Sequence, residues 1–184
     1  MKSRDTGLFK FTCILNSPES STYTVLWISA SSYSFLIFQA YPRLDQFQDK
    51  EGKVRSALQH ILKCDLEKEN IMDPIVLPPA DCIISFGLLD MICKKQDDYI
   101  RYLRKLLKLL KPGGHIIIFG TLEMTFYTIG KHKFHAFNYD EDFARKALVG
   151  EGLIIDRCEV KKRTVMNDHN DYKGMIFIAA HKEM

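Results

Sequence analysis

The 184-residue sequence predicts an α/β fold with a mostly parallel sheet, and three observations lead to that prediction. Residues 80–85 and 115–120 are short, continuous apolar runs, which are typical of parallel strands buried on both faces. A stretch with helical periodicity lies between them. Two later apolar runs, at residues 153–160 and 175–181, are joined by a polar segment without a helix, and this predicts an antiparallel pair at the end of the sheet.

The centre of the chain is predicted as strand, helix, tight turn and strand. Asp97 or Asp98 is expected to cap the helix, and Pro112 is expected to end it before a turn through Gly113 and Gly114. The expected buried face of the helix carries aliphatic residues at helical spacing, namely Ile100, Leu103, Leu106, Leu107 and Leu110. In such a unit, ligand-binding groups belong at the carboxyl ends of the strands.

Four further elements are predicted: a helix-like segment at residues 51–59, a strand at 60–64, an apolar-aromatic loop at 124–127 and a helix from Asp140 through Leu148. Residues 67–73 are predicted to form a charged loop. Asp140 supplies the expected capping side chain of the last helix, and Gly150 and Gly152 are expected to end it.

The first 49 residues allow three interpretations. Residues 22–40 carry no charge and mix serine with aromatic and aliphatic residues. The two β-rich runs TYTVLWIS and SYSFLIFQA are consistent with strands, and a poorly structured tail is the second alternative. A membrane anchor is the third, although the serines interrupt the apolar core that an anchor needs. Residues 1–49 are therefore left unassigned, and residues 50–184 are predicted to form one domain.

Composition and charge narrow the classes of function. A formal net charge of +3 is nearly balanced, so nothing requires a nucleic-acid partner. An odd number of cysteines without a CxxC pair favours reduced thiols in a cytosolic protein over a disulfide framework or a metal site: Cys13, Cys64, Cys82, Cys93 and Cys158. His132 and His135 with Asp140 are interpreted as solvated loop residues, and no metal is expected there.

Four motifs together resemble one family of enzymes. The segments HILKCDLEKEN, LPPADCIIS with its following loop acid, LLKPGGHIIIFG and FYTIGKHKF are similar to class I S-adenosylmethionine-dependent methyltransferases of the nicotinamide, phenylethanolamine and indolethylamine N-methyltransferase family. The resemblance covers residues 50–184. It implies a Rossmann-like class I sheet, mostly parallel with one antiparallel strand near the C-terminus. It also implies S-adenosylmethionine as cofactor and a small amine, pyridine or thioether as substrate.

The resemblance assigns roles to five residues. Asp65 and Leu66 match the position that reads the edge of adenine, where a carboxylate accepts from the exocyclic amino group and the next backbone N–H donates to a ring nitrogen. Phe86 stands where the nicotinamide branch has a threonine that touches the cofactor. Asp90 matches a loop acid that faces the substrate, and Tyr127 matches an aromatic residue of the substrate pocket. From the residues alone, a turn-forming Asp65, a core Phe86 and a solvated Asp90 remain open as alternatives.

The sequence departs from the family pattern at two positions at the carboxyl end of the strand predicted at residues 115–120. Gly120 replaces an aspartate of the nicotinamide branch, and Thr121 replaces a small apolar residue. These departures weaken any assignment of nicotinamide itself as the substrate. No catalytic side chain is implied, because methyl transfer from an activated sulfonium requires alignment and exclusion of water more than it requires a base.

The cofactor-binding first half of the family is not recognisable in the chain. Before Asp65 there are two glycines, Gly7 and Gly52, and neither opens the strand–glycine–helix turn that lets a backbone approach the cofactor. The resemblance therefore implies that the first strands are missing or replaced. The strand at residues 80–85 is then expected to have an open edge, unless residues 22–40 fill it. The alternative to an enzyme is a non-catalytic, truncated isoform that acts through protein–protein contacts, for which this edge is a candidate surface.

Overall fold

The computed structural model describes residues 13–16, 25–29, 60–62, 64–165 and 167–184. The strands in these ranges are β1 (Cys13–Asn16), β2 (Val25–Ser29), β3 (His60–Leu62), β4 (Ala80–Phe86), β5 (Leu110–Leu122), β6 (Phe126–Ile129), β7 (His132–His135), β8 (Leu153–Lys162) and β9 (Gly174–Lys182). The helices are α1 (Leu89–Ile92), α2 (Gln96–Lys108) and α3 (Glu141–Gly150). The helix-like segment predicted at residues 51–59 lies outside the described ranges.

The described strands form a main sheet of seven in the order β3-β1-β2-β4-β5-β9-β8, and β6 and β7 form a separate hairpin. The β2–β4 and β4–β5 pairs are parallel, whereas β1 is antiparallel to both its neighbours, as is β9. Five strands of the sheet therefore run in one direction, and β1 and β9 run in the other. This confirms the predicted class I sheet with an antiparallel strand near the C-terminus, and β1 is a second reversed strand that the sequence did not indicate.

The edge of β4 is covered by β2. Val25 is opposite Cys82 and Ser29 is opposite Phe86 in a parallel ladder, so the edge that was expected to be open has hydrogen-bonding partners. The first β-rich run, TYTVLWIS, thus contains a strand in the position that fills the gap. The second run lies outside the described residues. Within the described part of the sheet, the outermost strands are β3 and β8.

The central helix α2 differs from its prediction at both ends. Lys95 occupies the N-cap position without a side-chain hydrogen bond, and Asp97 and Asp98 lie in the first turn, where carboxylates complement the helix dipole. The chain leaves the helix before Pro112, because the carbonyl of Leu109 already accepts a hydrogen bond from the N–H of Ala80 at 2.7 Å. Leu110 consequently begins β5 and does not extend the apolar face of the helix. The buried residues of α2 are Tyr99, Tyr102, Leu103, Leu106 and Leu107.

The last helix agrees with the sequence, but the segment before it does not. The Asp140 carboxylate accepts a hydrogen bond of 2.8 Å from the N–H of Phe143 and caps α3, and Gly152 beyond its end has a φ of 80°. The predicted loop at residues 124–127 enters β6 at Phe126. The strand forms because β6 pairs with β7 across a turn at Gly130, which has a φ of 60°.

A cluster of aromatic rings joins α2 and α3 behind the carboxyl end of β5. Tyr99 lies at its centre, with ring centroids 5.3 Å from Phe143, 5.5 Å from Tyr139 and 6.0 Å from Phe137. The rings of Phe137 and Tyr139 are stacked at 5.6 Å. Aromatic contacts at these distances add to the stabilisation from burial. The cluster is therefore a rigid support for the carboxyl end of β5.

Two sequence-based expectations concern cysteines and membranes. Four cysteines in the described part of the chain are free thiols: Cys64, Cys82, Cys93 and Cys158. A helix with the length and apolar character needed to cross a membrane is absent from the described ranges. The membrane-anchor interpretation concerns residues 22–40, of which the structure describes only the five residues of β2.

Candidate active site

The predicted adenine-reading pair lies in the loop after β3. The N–H of Glu67 donates a 3.0 Å hydrogen bond to Oδ1 of Asp65, so this carboxylate forms a turn. Leu66 is buried. The Lys105 ammonium donates 2.8 Å hydrogen bonds to the backbone carbonyls of Leu66 and Lys68 and ties the loop to α2. The turn-forming role of Asp65 is therefore present, and it engages one of the two carboxylate oxygens.

The basic side chains of α2 hold the charged loop that contains this pair. Lys108 bonds to Glu69 at 2.5 Å, and Arg101 lies 3.4 Å from a carboxylate oxygen of Glu67. The hydroxyl of Tyr102 also donates to Glu67. These ion pairs are exposed and individually weak, but together they orient the loop relative to the helix.

The carboxyl ends of β3 and β4 lie at the same edge of the sheet, because the two strands run in the same direction. Two strands separate them, which corresponds to about 14 Å at the usual strand spacing. Phe86, the third predicted cofactor residue, is the last residue of β4 and lies opposite Ser29, with its ring centroid 5.3 Å from that of Phe119. The three predicted cofactor residues thus lie along one edge, but Phe86 is not adjacent to Asp65.

Asp90 lies in α1 and is buried against the carboxyl end of β5. It is 1% exposed, and its Oδ2 accepts hydrogen bonds from the N–H of Thr121 at 3.0 Å and from its hydroxyl at 2.6 Å. The carbonyl of Asp90 accepts from the N–H of Phe137 at 2.8 Å. Burial raises the pKa of Asp90, and the hydrogen bonds from Thr121 oppose that change. The interpretation of Asp90 as a solvated loop acid is therefore wrong.

Tyr127 lies on β6 and packs with Met124 and Ala136 in a small cluster that Met91, the residue after Asp90, also contacts. Its ring stacks on that of Phe134 with centroids 5.4 Å apart and an interplanar angle of 18°. Burial, and then the nearby Asp90 carboxylate, raise the pKa of Tyr127 to about 12. The structure therefore brings together the two predicted substrate residues.

The polar loop between β8 and β9 positions this hairpin. The Asp171 carboxylate accepts hydrogen bonds from the N–H of Thr125 at 2.8 Å, from the N–H of Phe126 at 3.2 Å and from the Thr125 hydroxyl. The carbonyl of His169 accepts from the N–H of Thr128 at 2.8 Å. Burial opposes a low pKa for Asp171, but these hydrogen bonds outweigh it and lower the pKa. The start of β6 is thus held by a segment that the sequence predicted only as a connection.

Gly120, one of the two departures from the family pattern, has a spatial cause. A Cβ atom at this position would lie 2.2 Å from the hydroxyl oxygen of Tyr139, which is only 4% exposed. The side-chain space at position 120 is therefore occupied by Tyr139. Sequence reasoning missed Tyr139 because the two residues are distant along the chain and no motif links them.

The loop after β5 also contains an unusual backbone conformation. Glu123 has a φ of 52°, in the left-handed region that non-glycine residues seldom adopt. Its N–H donates a 2.8 Å hydrogen bond to the carbonyl of Tyr139, which helps to hold that conformation. The bend separates the end of β5 from β6 and directs the chain toward Tyr127.

Two cavities lie outside this group of residues. One, of about 360 Å³, is lined by β5, β8 and β9 and includes Phe119, Arg157 and Phe177. The other, of about 540 Å³, is at the amino end of β4 and includes Cys82 and His115. None of the five predicted site residues lines either cavity.

A sequence model of the NNMT/PNMT/TEMT family matches residues 26–183. The match begins within β2, before residue 50, and the division of the chain at residues 49 and 50 remains a prediction. Indolethylamine N-methyltransferase of Oryctolagus cuniculus is 30% identical over 138 residues, which are 75% of this chain and 52% of that protein. Nicotinamide N-methyltransferase of Homo sapiens is 34% identical over 134 residues, 73% of this chain and 51% of that protein. The chain spans about half the length of these relatives.

Two solved structures share the fold at low sequence identity. A SAM-dependent methyltransferase from Methanosarcina mazei has a TM-score of 0.52 and 11% identity, with 78% of this chain and 79% of that chain covered. An S-adenosylmethionine-dependent methyltransferase from Clostridium acetobutylicum has a TM-score of 0.51 and 12% identity, with 86% and 75% covered. These likenesses concern the arrangement of helices and strands.

Proposed function

The chain belongs to the NNMT/PNMT/TEMT family. On this basis we propose that it is an S-adenosylmethionine-dependent N-methyltransferase that acts on a small amine or a pyridine such as nicotinamide. We propose in addition that the cofactor site within this chain is incomplete. The observation that carries the first proposal is the meeting of Asp90, Thr121 and Tyr127 at the carboxyl ends of β4 and β5. Ligands of open α/β sheets bind at this edge.

The adenine end of the cofactor has fitting residues in the loop after β3. Asp65 is half-buried, and its turn bond engages Oδ1. The carboxylate has acceptor capacity beyond that single bond, which suits an exocyclic amino group. Lys105 and the acidic side chains of the loop fix the backbone of Leu66, so the donor and acceptor positions are set before a ligand arrives.

The methionyl end of the cofactor has no glycine turn in the expected place. The strand beside β4 is β2, and the residues that follow it in the sequence are Ala30, Ser31 and Ser32, with Gly52 as the next glycine. The Cβ atoms of Ala30, Ser31 and Ser32 restrict how closely the backbone at these three residues could approach a ligand. This pattern supports the proposal of an incomplete cofactor site.

The acceptor end is formed by Asp90 and the stacked pair of Tyr127 and Phe134. The stacked rings provide an aromatic wall that suits a planar pyridine or indole. Asp90 ties α1 to the end of β5 through Thr121, and its carboxylate helps to raise the pKa of Tyr127. When bound, S-adenosylmethionine supplies an electrophilic methyl group, and the protein contributes alignment and exclusion of water.

Calorimetric titration with S-adenosylhomocysteine tests the adenine site. Asp65→Ala should weaken binding by about 1.5–3 kcal/mol, the range for a hydrogen bond to a charged group. Asp65→Asn keeps an oxygen for the N–H of Glu67 and separates loss of the turn from loss of the carboxylate. Asp97→Asn on the exposed start of α2 is the matched control and should bind like the unaltered protein. Equal affinity for all four proteins would remove Asp65 from the site.

Methyl transfer tests whether the cofactor site is complete. The 184-residue chain should transfer labelled methyl groups poorly to a panel of pyridines, indole amines and thioethers, because a displacement of about 1 Å can lower a rate by roughly a hundredfold. A chimera that joins the first half of a complete relative near Asp49 should be active. Robust turnover by the unmodified chain would contradict the incomplete site, whereas an inactive but folded chimera would favour a non-catalytic role through protein contacts.

The resemblance and the free thiols also support a cytosolic location. The expected partners are a small-molecule acceptor and the cofactor. Localisation of the tagged full-length product by microscopy tests the compartment.

A further inference from the structure

Three potential metal ligands lie together at the end of the strands opposite to the candidate active site. His115 is on β5, Asp156 on β8 and His181 on β9, and one ligand atom from each lies within 4.8 Å of the other two. His115 and His181 are directly paired in the antiparallel ladder, with ring centroids 5.7 Å apart. Directly paired residues share one face of a sheet, so both imidazoles are presented to the same side.

Asp156 lies on the same face of the sheet as the two imidazoles, because it is two residues from Ile154, the register partner of His181. Ile155 pairs with Ala180 and Arg157 pairs with Ala179, which leaves Asp156 as the extra residue of β8. Asp156 is thus the bulge residue of β8. Its Oδ1 lies 2.8 Å from Nδ1 of His181.

The surroundings leave the cluster accessible to an ion. The side chains of His181 and Asp156 are 30% and 41% exposed. Two neighbouring basic side chains are engaged elsewhere, since Arg157 is paired with Glu159 at 2.5 Å and Lys111 is paired with Asp81 at 2.7 Å.

We propose that His115, Asp156 and His181 form a binding site for a divalent transition-metal ion of the zinc type. Two imidazole nitrogens and one carboxylate oxygen form a borderline donor set that Zn²⁺ accepts, with a fourth position left to water. At bond lengths of about 2.0–2.1 Å, ligand atoms of a tetrahedral site lie roughly 3.4 Å apart. Ligand atoms up to 4.8 Å apart therefore require side-chain rotations that close the cluster by about 1.4 Å at most.

The ion would connect three strands and not take part in methyl transfer. Its ligands come from β5, β9 and the outermost strand β8, and they lie at the other end of the strands from Asp90. Metal binding to the folded state stabilises that state, so this site would hold the edge strand against the rest of the sheet. The methyltransferase proposal and the metal proposal consequently stand on different residues.

Zinc affinity of the metal-free 184-residue chain, measured by competition with a chromogenic chelator, tests the site. His115→Gln and His181→Gln should each weaken binding at least about thirtyfold, since even residues that only orient ligands alter affinity by 10–100-fold. His132→Gln is the matched control because His132 is an exposed strand histidine on the separate β6–β7 hairpin. It should bind zinc with unchanged affinity and one-to-one stoichiometry.

Thermal unfolding provides a second readout that is independent of activity. Equimolar zinc should raise the melting temperature of the unaltered chain and of the His132→Gln control, and not of the His115→Gln variant. Asp156→Asn retains a hydrogen-bonding oxygen near His181 and keeps the test valid if a histidine variant fails to fold. Absence of stoichiometric zinc binding, or equal affinity in the unaltered chain and the His115 and Asp156 variants, would overturn the proposal.

Discussion

Replacing Gly120 with alanine should destabilise the protein through a single contact. The added Cβ would lie 2.2 Å from the hydroxyl oxygen of Tyr139, whereas ordinary contacts of a Cβ begin at 3.4 Å. Tyr139 is packed against Tyr99, Phe137 and Phe143 and has little room to retreat. The substitution therefore requires about 1.2 Å of movement in a rigid aromatic cluster.

The expected magnitude follows from the cost of overpacking a buried site. Such changes destabilise proteins by about 1–3 kcal/mol, and the packed rings around Tyr139 place this case near the upper limit. For a chain of 184 residues each kcal/mol lowers the melting temperature by about 2–4 °C, so a fall of roughly 6–12 °C is expected.

A double-mutant cycle followed by urea unfolding and circular dichroism isolates the contact. In Tyr139→Phe the hydroxyl is gone, and the nearest remaining atoms to the new Cβ are 3.6 Å away. The second substitution should then recover most of the loss, with a coupling free energy of about 2 kcal/mol. Gly150→Ala at the end of α3 is the matched control, because its Cβ meets nothing within 4 Å. Additive effects of the Gly120 and Tyr139 substitutions would refute the proposed steric cause.

Asp90→Asn keeps an oxygen acceptor for Thr121 but removes the ionisable carboxyl. Because burial raises the folded-state pKa of Asp90, its contribution to wild-type stability should fall as the pH rises from about 4 through that pKa. The decline is limited to about 1.4 kcal/mol per pH unit, and urea titrations of the variant should lack it. Asp140→Ala should cost about 1 kcal/mol in the same unfolding assay, because the N–H of Phe143 loses its cap; an unchanged midpoint would contradict the cap. Alkylation without reductant, read by mass spectrometry, should find no native disulfide and should label the half-buried thiols before the buried ones, namely Cys82 and Cys158 before Cys64 and Cys93.

The strands of the C-terminal half were predictable because their signals are local. Continuous apolar runs identify β4 and the core of β5, and the missing helix between β8 and β9 predicts their antiparallel pairing. The hairpin of β6 and β7 was missed because its second strand is polar and its stability comes from pairing and from Asp171. The position of β2 beside β4 likewise depends on the choice of partner, which no local pattern determines.

The candidate site shows the same division between local and non-local information. The motif match predicts substrate roles for Asp90 and Tyr127, which stay predictions, and the structure shows that the Asp90 carboxylate contributes to the raised pKa of Tyr127. The burial of Asp90 could not be read from the sequence, since it depends on the packing of α1 against the carboxyl end of β5, where Thr121 donates to Asp90. The Gly120–Tyr139 contact depends on two elements meeting in space, and composition at either position gives no sign of it.

The anchoring of β6 by Asp171 makes the position of the Tyr127–Phe134 pair depend on the β8–β9 loop. Because the loop fixes where Thr125 and Phe126 start the strand, its length sets the offset of the aromatic wall from the end of β5. A one-residue insertion there would shift Tyr127 without altering any residue of β6 or β7. Under the proposed methyltransferase function, such an insertion would reshape the acceptor pocket and leave the main sheet and its core unchanged, so the segment is a practical target for directed evolution.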